Sequence, residues 1–384
     1  MRQKGFLNTP ILVILGVLII TAILGVGLYF RFFKHRTPPT KIFPVPPTQT
    51  ESASPQNSNP PANFAAPAVD NSHFAIHSFI FSNFSTPTKT YLFDAAKRTG
   101  KSFIRFDFAL TSVEPNQGKF VFGGLDENVK MASDRGLTVV GTLGYSANWI
   151  AAAGAFKPTH GPIDPNKYDA YTDYVKQTVA HFPQVSYWEV WNEPDAKALY
   201  YDDPASFAKI LKLTHDAIKA TNPNAKILFP GVVFGNEGWV RSVLNDPANP
   251  GKGNFDIGNV HIRGTLSSVE GKTSDVVSIF RSAGSTPIWI TEFGYPSDSA
   301  FQQDSSYKSG LQSQADYYKV ALPKLVSLGA DKIFVTLRDM GADESGCGRT
   351  GGQNGFCSEG LVTFPSRSAT SGTDKPSMAV FQSL

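Results

Sequence analysis

Apolar residues along this chain fall into two patterns. The first is one unbroken block, Pro10 to Phe30, with no polar face. The second begins near His73, where short β-rich runs alternate with segments whose apolar residues recur every three or four positions. The runs Phe74–Phe81, Ser102–Phe108, Thr138–Leu143, Tyr187–Trp191, Lys226–Pro230, Ile257–His261, Ile288–Thr291 and Lys332–Thr336 read as strands. Helices are expected over Leu125–Arg135, ended by Gly136, and over Tyr168–His181, Ser206–Ala220, Gln312–Ser327 and Pro376–Leu384. Eight strand-helix units with parallel crossovers predict a closed (β/α)8 barrel or a doubly wound sheet. The count of eight favours the barrel, and no G-x-G-x-x-G follows the first strand.

Charge divides the chain differently. The net charge is +3, yet Arg2, Lys4, Arg31, Lys34 and Arg36 precede any acid, so the remainder carries 30 basic and 32 acidic residues. The basic excess therefore flanks the apolar block and does not indicate nucleic acid. Roughly 20 apolar residues suffice to cross a bilayer as a helix, and no A-x-A-like cleavage site follows Phe30. This predicts an uncleaved membrane anchor over residues 1–36, with a lipid bilayer as partner. Residues 37–70 are rich in Pro, Ser, Thr, Asn and Ala, a composition that stays extended and unfolded. At ~3.1 Å per residue this linker would span on the order of 100 Å. The third expected unit, residues 71–384, is then an extracytoplasmic domain at the cell surface. Two cysteines, Cys347 and Cys357, lie close together in a Gly-rich stretch, and a disulfide between them fits an oxidising compartment.

The candidate chemistry lies where two strands end. Trp191-Asn192-Glu193-Pro194 follows the fourth strand, and Thr291-Glu292-Phe293-Gly294 closes the seventh. In barrels, sites are built at the C-terminal ends of strands. Two glutamates there suit retaining glycoside hydrolysis, which needs one carboxyl as acid and base and another as nucleophile, about 5–5.5 Å apart.

With these motifs in order, the chain resembles a clan A glycoside hydrolase, most similar to families 39 and 5. The resemblance covers most of Ser102–Leu384 and includes Ile104-Arg105-Phe106-Asp107, Glu114-Pro115, Gly118-Lys119-Phe120, Leu125-Asp126, Gly144-Tyr145 and Trp149. It implies that Glu193 is the acid/base and Glu292 the nucleophile. It also implies that Asn192 reaches the sugar 2-hydroxyl, that Arg105 holds Glu292 ionised from below, and that His261 lines the pocket. No cofactor or metal is implied, and the partner is an oligo- or polysaccharide. Tyr145, Trp149, Tyr200 and Tyr201 are candidates for stacking on sugars, and Glu114 for bracing the loop after strand two.

The chain departs from the family twice. After His261, where a tyrosine commonly orients the nucleophile, the residues are Ile262-Arg263, so Arg263 becomes the expected partner of Glu292. Strand eight, Lys332–Thr336, is not followed by the family's tryptophan. These departures motivate an alternative function, a carbohydrate-binding barrel without turnover.

Overall fold

The computed structural model describes residues 72–155, 159–196, 201, 203–233, 236–284, 287–344, 347 and 355–384. The expected anchor, the linker and Tyr200 lie outside the described residues. Among those described, no helix is long and apolar enough to cross a membrane.

Eight parallel strands form one sheet: β1 (Phe74–His77), β2 (Phe103–Asp107), β3 (Thr138–Leu143), β4 (Tyr187–Val190), β5 (Lys226–Leu228), β6 (Gly258–Ile262), β7 (Ile288–Phe293) and β8 (Lys332–Thr336). The spatial order β5-β4-β3-β2-β1-β8-β7-β6 leaves β5 and β6 at the two ends. A parallel bridge between Leu228 and Ile257 joins these ends, with Phe229 N–H donating to the Ile257 carbonyl at 2.9 Å. The expected barrel is therefore closed.

The helices are α1 (Thr86–Arg98), α2 (Leu110–Val113), α3 (Gly123–Asp134), α4 (Tyr168–His181), α5 (Pro204–Thr221), α6 (Glu237–Leu244), α7 (Leu266–Ser282), α8 (Leu311–Ser327) and α9 (Pro376–Ser383). Side-chain caps start several of them. Ser85 accepts from Thr88 N–H before α1, Asp203 from Ala205 and Ser206 before α5, and Thr265 from Ser268 before α7. Helices α1, α2, α6 and α7 were not evident from apolar spacing; α7 alone contains Ser267, Ser268, Glu270, Gly271 and Lys272 in its first two turns.

Side chains alternate along each strand, so every second residue points into the barrel. The lowest inward layer is Ala75, Phe103, Val140, Tyr187, Leu228, Ile257, Trp289 and Phe334, an apolar floor with one side chain per strand or strand edge. Trp289 lies 5.9 Å from Phe103, 5.4 Å from Tyr187 and 5.6 Å from Phe334, ring centre to ring centre. Two residues further along, on every strand but β5, the character changes. His77, Arg105, Thr142, Glu189, Asn259, Thr291 and Thr336 form a buried polar layer above the floor. A larger apolar core fills the space between the sheet's outer face and the helices. Cys347 and Cys357 are disulfide-bonded, as expected.

Two strands stop earlier than their apolar runs. The expected Phe74–Phe81 ends at His77 because Phe79 turns left-handed, at φ 49°. The expected Tyr187–Trp191 ends at Val190 because Trp191 has φ 66°.

The floor makes a stability prediction. Trp289→Ala should cost about 3–5 kcal/mol, read as a lower urea midpoint; a loss below about 1 kcal/mol would contradict the floor's role.

Candidate active site

Left-handed backbone for a non-glycine residue costs on the order of 1–3 kcal/mol, and the end of β4 has it twice, at Trp191 and at Glu193, φ 46°. Neighbours hold the turn in place. Trp191 is fully buried, and its N–H donates to the Leu143 carbonyl at 2.6 Å. Glu193 N–H donates to the Gly231 carbonyl at 2.9 Å, and Asn192 bridges to Gly231. Asp195, which burial pushes up to about 6, accepts from Val233 N–H and Asn236 Nδ2, tying the β4 loop to the β5 loop. The turn delivers Asn192 and Glu193 to the barrel mouth.

At β7 the device is a register shift. Pairing with β6 slips between Val260 and His261, and pairing with β8 slips between Ile290 and Phe293. Consecutive strand residues normally face opposite sides; an irregularity re-aims a side chain. Here both Thr291 and Glu292 face inward. Thr291 bonds the polar layer at Asn259 Oδ1, 2.9 Å away, while Glu292 reaches Arg105 and Arg263.

Arg105 is the hub. It is fully buried, and its five N–H donors have five acceptors. Nε donates to Glu189 Oε2 at 2.6 Å; Nη2 donates to Glu189 Oε1 at 2.9 Å and to Asn192 Oδ1 at 2.8 Å. Nη1 donates to Glu292 Oε1 and His77 Nδ1, both at 3.0 Å. Arginine cannot accept, so His77 Nδ1 must present its lone pair. The His77 proton then sits on Nε2, 3.6 Å from Glu292 Oε1. Burial, with help from Arg105, lowers the His77 pKa to about 3, which agrees with this neutral tautomer.

Burial alone would raise the pKa of Glu189, but Arg105 outweighs it and holds the carboxylate at about 2. Glu292 follows the same logic. Burial opposes its charge, yet His261 first, then Arg105 and Arg263, keep it well below the ordinary carboxylate range. Arg263 Nη2 donates to Glu292 Oε2 at 3.0 Å, while its Nε is shared by both oxygens of Glu359 at 3.0 and 2.9 Å. His261 is also fully buried; burial lowers its pKa, but Glu292, Glu189 and Glu193 raise it to about 9. As an imidazolium it donates from Nδ1 to Glu193 Oε1 at 3.0 Å and from Nε2 to Thr291 Oγ1 at 3.1 Å.

One carboxylate oxygen of Glu193, one of Glu292 and a ring nitrogen of His261 all lie within 4.8 Å of one another. Three such donors are the raw material of a metal site. Here, however, both Glu292 oxygens already accept from guanidinium groups, and an imidazolium has no lone pair to give. The arrangement suits an ionised carboxylate beside a second carboxyl that accepts a hydrogen bond from an imidazolium. The two carboxyls differ in access: the Glu193 side chain is 25% exposed and that of Glu292 7%.

Arg105, Asn192, Glu193, His261, Arg263 and Glu292 are thus brought together as expected from the sequence. Glu292 lies within β7 and not after it. Tyr145 stands to one side, lining a cavity of about 270 Å³ with Asp107, His160 and Arg367. Trp149 stands apart from the Arg105 network; its indole N–H donates to the Glu114 carbonyl, and Glu114 Oε1 accepts from Gly118 N–H, which braces the loop after β2. Tyr201 is buried, its hydroxyl accepting from Ile163 N–H. Arg263 and Glu359 border a separate cavity of about 870 Å³ with Tyr295, Phe301, Gln303 and Phe356. Sequence reasoning missed Glu189, His77 and Glu359. The first two had a signal, since counting in twos from the apolar floor finds an ionisable group inside strands β4 and β1. Glu359 had none.

The closed barrel with two carboxyls at its mouth defines a glycosidase-like site, and comparison with known proteins agrees. A model of the glycosyl hydrolase catalytic core matches residues 163–328, which include both glutamates. The fold is similar to a family 39 glycoside hydrolase from Bacteroides cellulosilyticus WH2, with a TM-score of 0.62 and 17% identity over 81% of this chain and 62% of that one. The chain thus spans less than two thirds of that enzyme's length. It is also similar to a family 39 β-xylosidase from Caulobacter crescentus, with a TM-score of 0.62 and 19% identity over 83% of this chain and 72% of that one. Fungal β-1,4-galactanases match with a TM-score of 0.57 and 16% identity over 77% of this chain and 90% of theirs. These findings bear out the resemblance to a clan A glycoside hydrolase.

Two predictions test this electrostatic arrangement. A Cβ on Gly231 would overlap the His261 ring, so Gly231→Ala should lower turnover by about 100-fold through displacement of that ring; unchanged steady-state kinetics would refute the packing. The His261 pKa is raised on folding from 6.5 to about 9. Its contribution to stability is therefore complete below pH 6.5 and lost as pH rises through about 9. Urea unfolding free energies should fall across that window, and His261→Gln should flatten the fall; parallel profiles would count against a charged His261.

Proposed function

We propose that this protein is a retaining glycoside hydrolase that cleaves a β-linked glycan by double displacement. The observation that carries this reading is the pair of carboxyl oxygens on Glu193 and Glu292 within 4.8 Å, with Glu292 buried among cations. Inverting enzymes keep their carboxyls ~6.5–9.5 Å apart to admit a water, whereas retaining enzymes bring them to about 5–5.5 Å.

In the first step Glu292 attacks the anomeric carbon while Glu193 gives a proton to the departing oxygen. The hydrogen bond between His261 Nδ1 and Glu193 Oε1, 3.0 Å apart, lets the pair hold the proton that this step delivers. Formation of the glycosyl ester removes the charge of Glu292 from beside Glu193. Glu193 then takes a proton from water as the water attacks the ester, and the original states return. Asn192, fixed by Arg105, is oriented toward the sugar 2-hydroxyl. The cavities lined by Tyr145 and by Arg263 offer room for a glycan. The activities of the similar proteins, a β-xylosidase and β-1,4-galactanases, support a β-linked substrate.

The alternative, a carbohydrate-binding barrel without turnover, rested on Arg263 and the missing tryptophan. Against it stands the pairing of Arg263 with Glu359, which balances its charge and leaves Glu292 facing Glu193. The apolar run Pro10–Phe30, the Pro-rich linker and the disulfide support a membrane-anchored enzyme acting outside the cytoplasm.

Dinitrophenyl glycosides, whose leaving group needs no protonation, separate the two roles. Glu193→Gln should still release a burst of phenolate and then stall as the intermediate accumulates, whereas Glu292→Gln should show no burst. Wild-type rates for both variants would refute the assignment.

A further inference from the structure

Among the described residues, Phe79 is the one aromatic residue with left-handed backbone at the barrel mouth that nothing above explains. It stands two residues beyond His77, with φ 49°, a conformation that is an outlier for a bulky residue. Strain of this kind is ordinarily offset by packing, yet Phe79 belongs to neither apolar cluster and is not among the half-buried side chains packed against the larger one. Its ring is half-buried and meets the His77 imidazole edge-on, 4.1 Å between centres. The Nε2 atom of that imidazole, which carries its proton, lies 3.6 Å from Glu292 Oε1.

The surrounding chain over-determines this position. Ser78 is fixed twice to the Arg105 carbonyl, by N–H at 3.1 Å and Oγ at 2.8 Å. The Phe79 carbonyl accepts from Arg338 Nε at 3.0 Å and Nη2 at 2.8 Å. Arg338 is itself fully buried, pairs with Glu344 through two bonds of 2.6 and 2.8 Å, and packs against the Phe364 ring at 4.4 Å. A buried guanidinium paired with Glu344 thus places two donors on the Phe79 carbonyl, as well as one on the Asp339 carbonyl, and lies 6.0 Å from the centre of the half-buried Phe79 ring.

We propose that Phe79 is a substrate-contacting wall of the sugar pocket, its ring stacking on the C–H face of the pyranose that Glu292 attacks, and that Arg338 with Glu344 is the clamp that aims it. Aromatic rings offer sugars an apolar face, and sugars with axial C–H groups offer one in return. The inference rests on the catalytic reading above, and the experiment separates the two.

Nitrophenyl β-xyloside, β-glucoside, β-galactoside and β-mannoside are assayed with wild type, Phe79→Ala, Phe79→Trp, Phe79→Gly and Glu292→Gln, and Tm is measured for each protein. On the glycoside that wild type hydrolyses, Phe79→Ala should lower kcat/KM by about 10- to 100-fold, with Tm falling by no more than about 2 °C. Phe79→Trp should retain activity within about threefold. Phe79→Gly, which relieves the strain and removes the ring, should be as stable as wild type and as impaired as Phe79→Ala. The proposal is overturned if Phe79→Ala keeps wild-type kcat/KM while Glu292→Gln is dead, an outcome that leaves the catalytic reading intact. It is also overturned if activity loss tracks a matching loss of Tm across the three Phe79 variants. Full activity in Glu292→Gln, or no turnover by wild type on any glycoside, overturns the catalytic reading and this one with it.

Discussion

A single guanidinium, buried beneath the barrel mouth, joins four strands. Arg105 rises from β2 and bonds His77 on β1, Glu189 on β4 with Asn192 beyond its end, and Glu292 on β7. Burying a charge is costly unless its partners are close and its donors are all used. Both conditions are met, so the ion cluster is tolerable where it lies and intolerant of loss. Its geometry also dictates protonation. A donor-only group facing His77 Nδ1 forces that ring to be neutral, and its charge beside Glu292 keeps the carboxylate bare.

The apolar floor below and the polar layer above it divide the labour within the barrel. Phe103, Tyr187, Trp289 and Phe334 close the bottom and exclude water from the layer that carries the charges, where electrostatic interactions are strongest. The departures from ideal geometry lie on the reactive rim: left-handed Phe79, Trp191 and Glu193, and the slipped register around Glu292. Regular strands could not have turned Thr291 and Glu292 the same way, nor sent both Asn192 and Glu193 into the mouth. Local strain there is sustained by the bonds of the regular scaffold.

Much of this was legible in the residues. Eight β-rich runs and two strand-terminal glutamates foretold the barrel and its rim, and Arg105, His261 and Arg263 stand where the motifs implied. The legible parts are those that repeat with period two or sit in short motifs. What escaped depends on contacts distant in sequence. Glu359 meets Arg263 across 96 positions, and no local pattern marks it. Helix α7 escaped because its exposed face is polar and its cap, Thr265, is a single residue. The ends of β1 and β4 were placed too late because Phe79 and Trp191 are good strand formers; tertiary contacts override their propensity. The hydrogen bond from the Trp149 indole N–H to the Glu114 carbonyl, across 35 positions, had no signal in the local sequence either.

The central claim is that the cations around Glu292 keep it ionised and ready to form a bond with sugar carbon. The most direct measurement uses a fluorosugar with a good leaving group, which traps the glycosyl ester, followed by mass spectrometry of the digested protein. The account predicts one label per chain, on the peptide containing Glu292, and its absence in Glu292→Gln. A label on Glu193, or hydrolysis of glycosides with inverted product and no label at all, would contradict it.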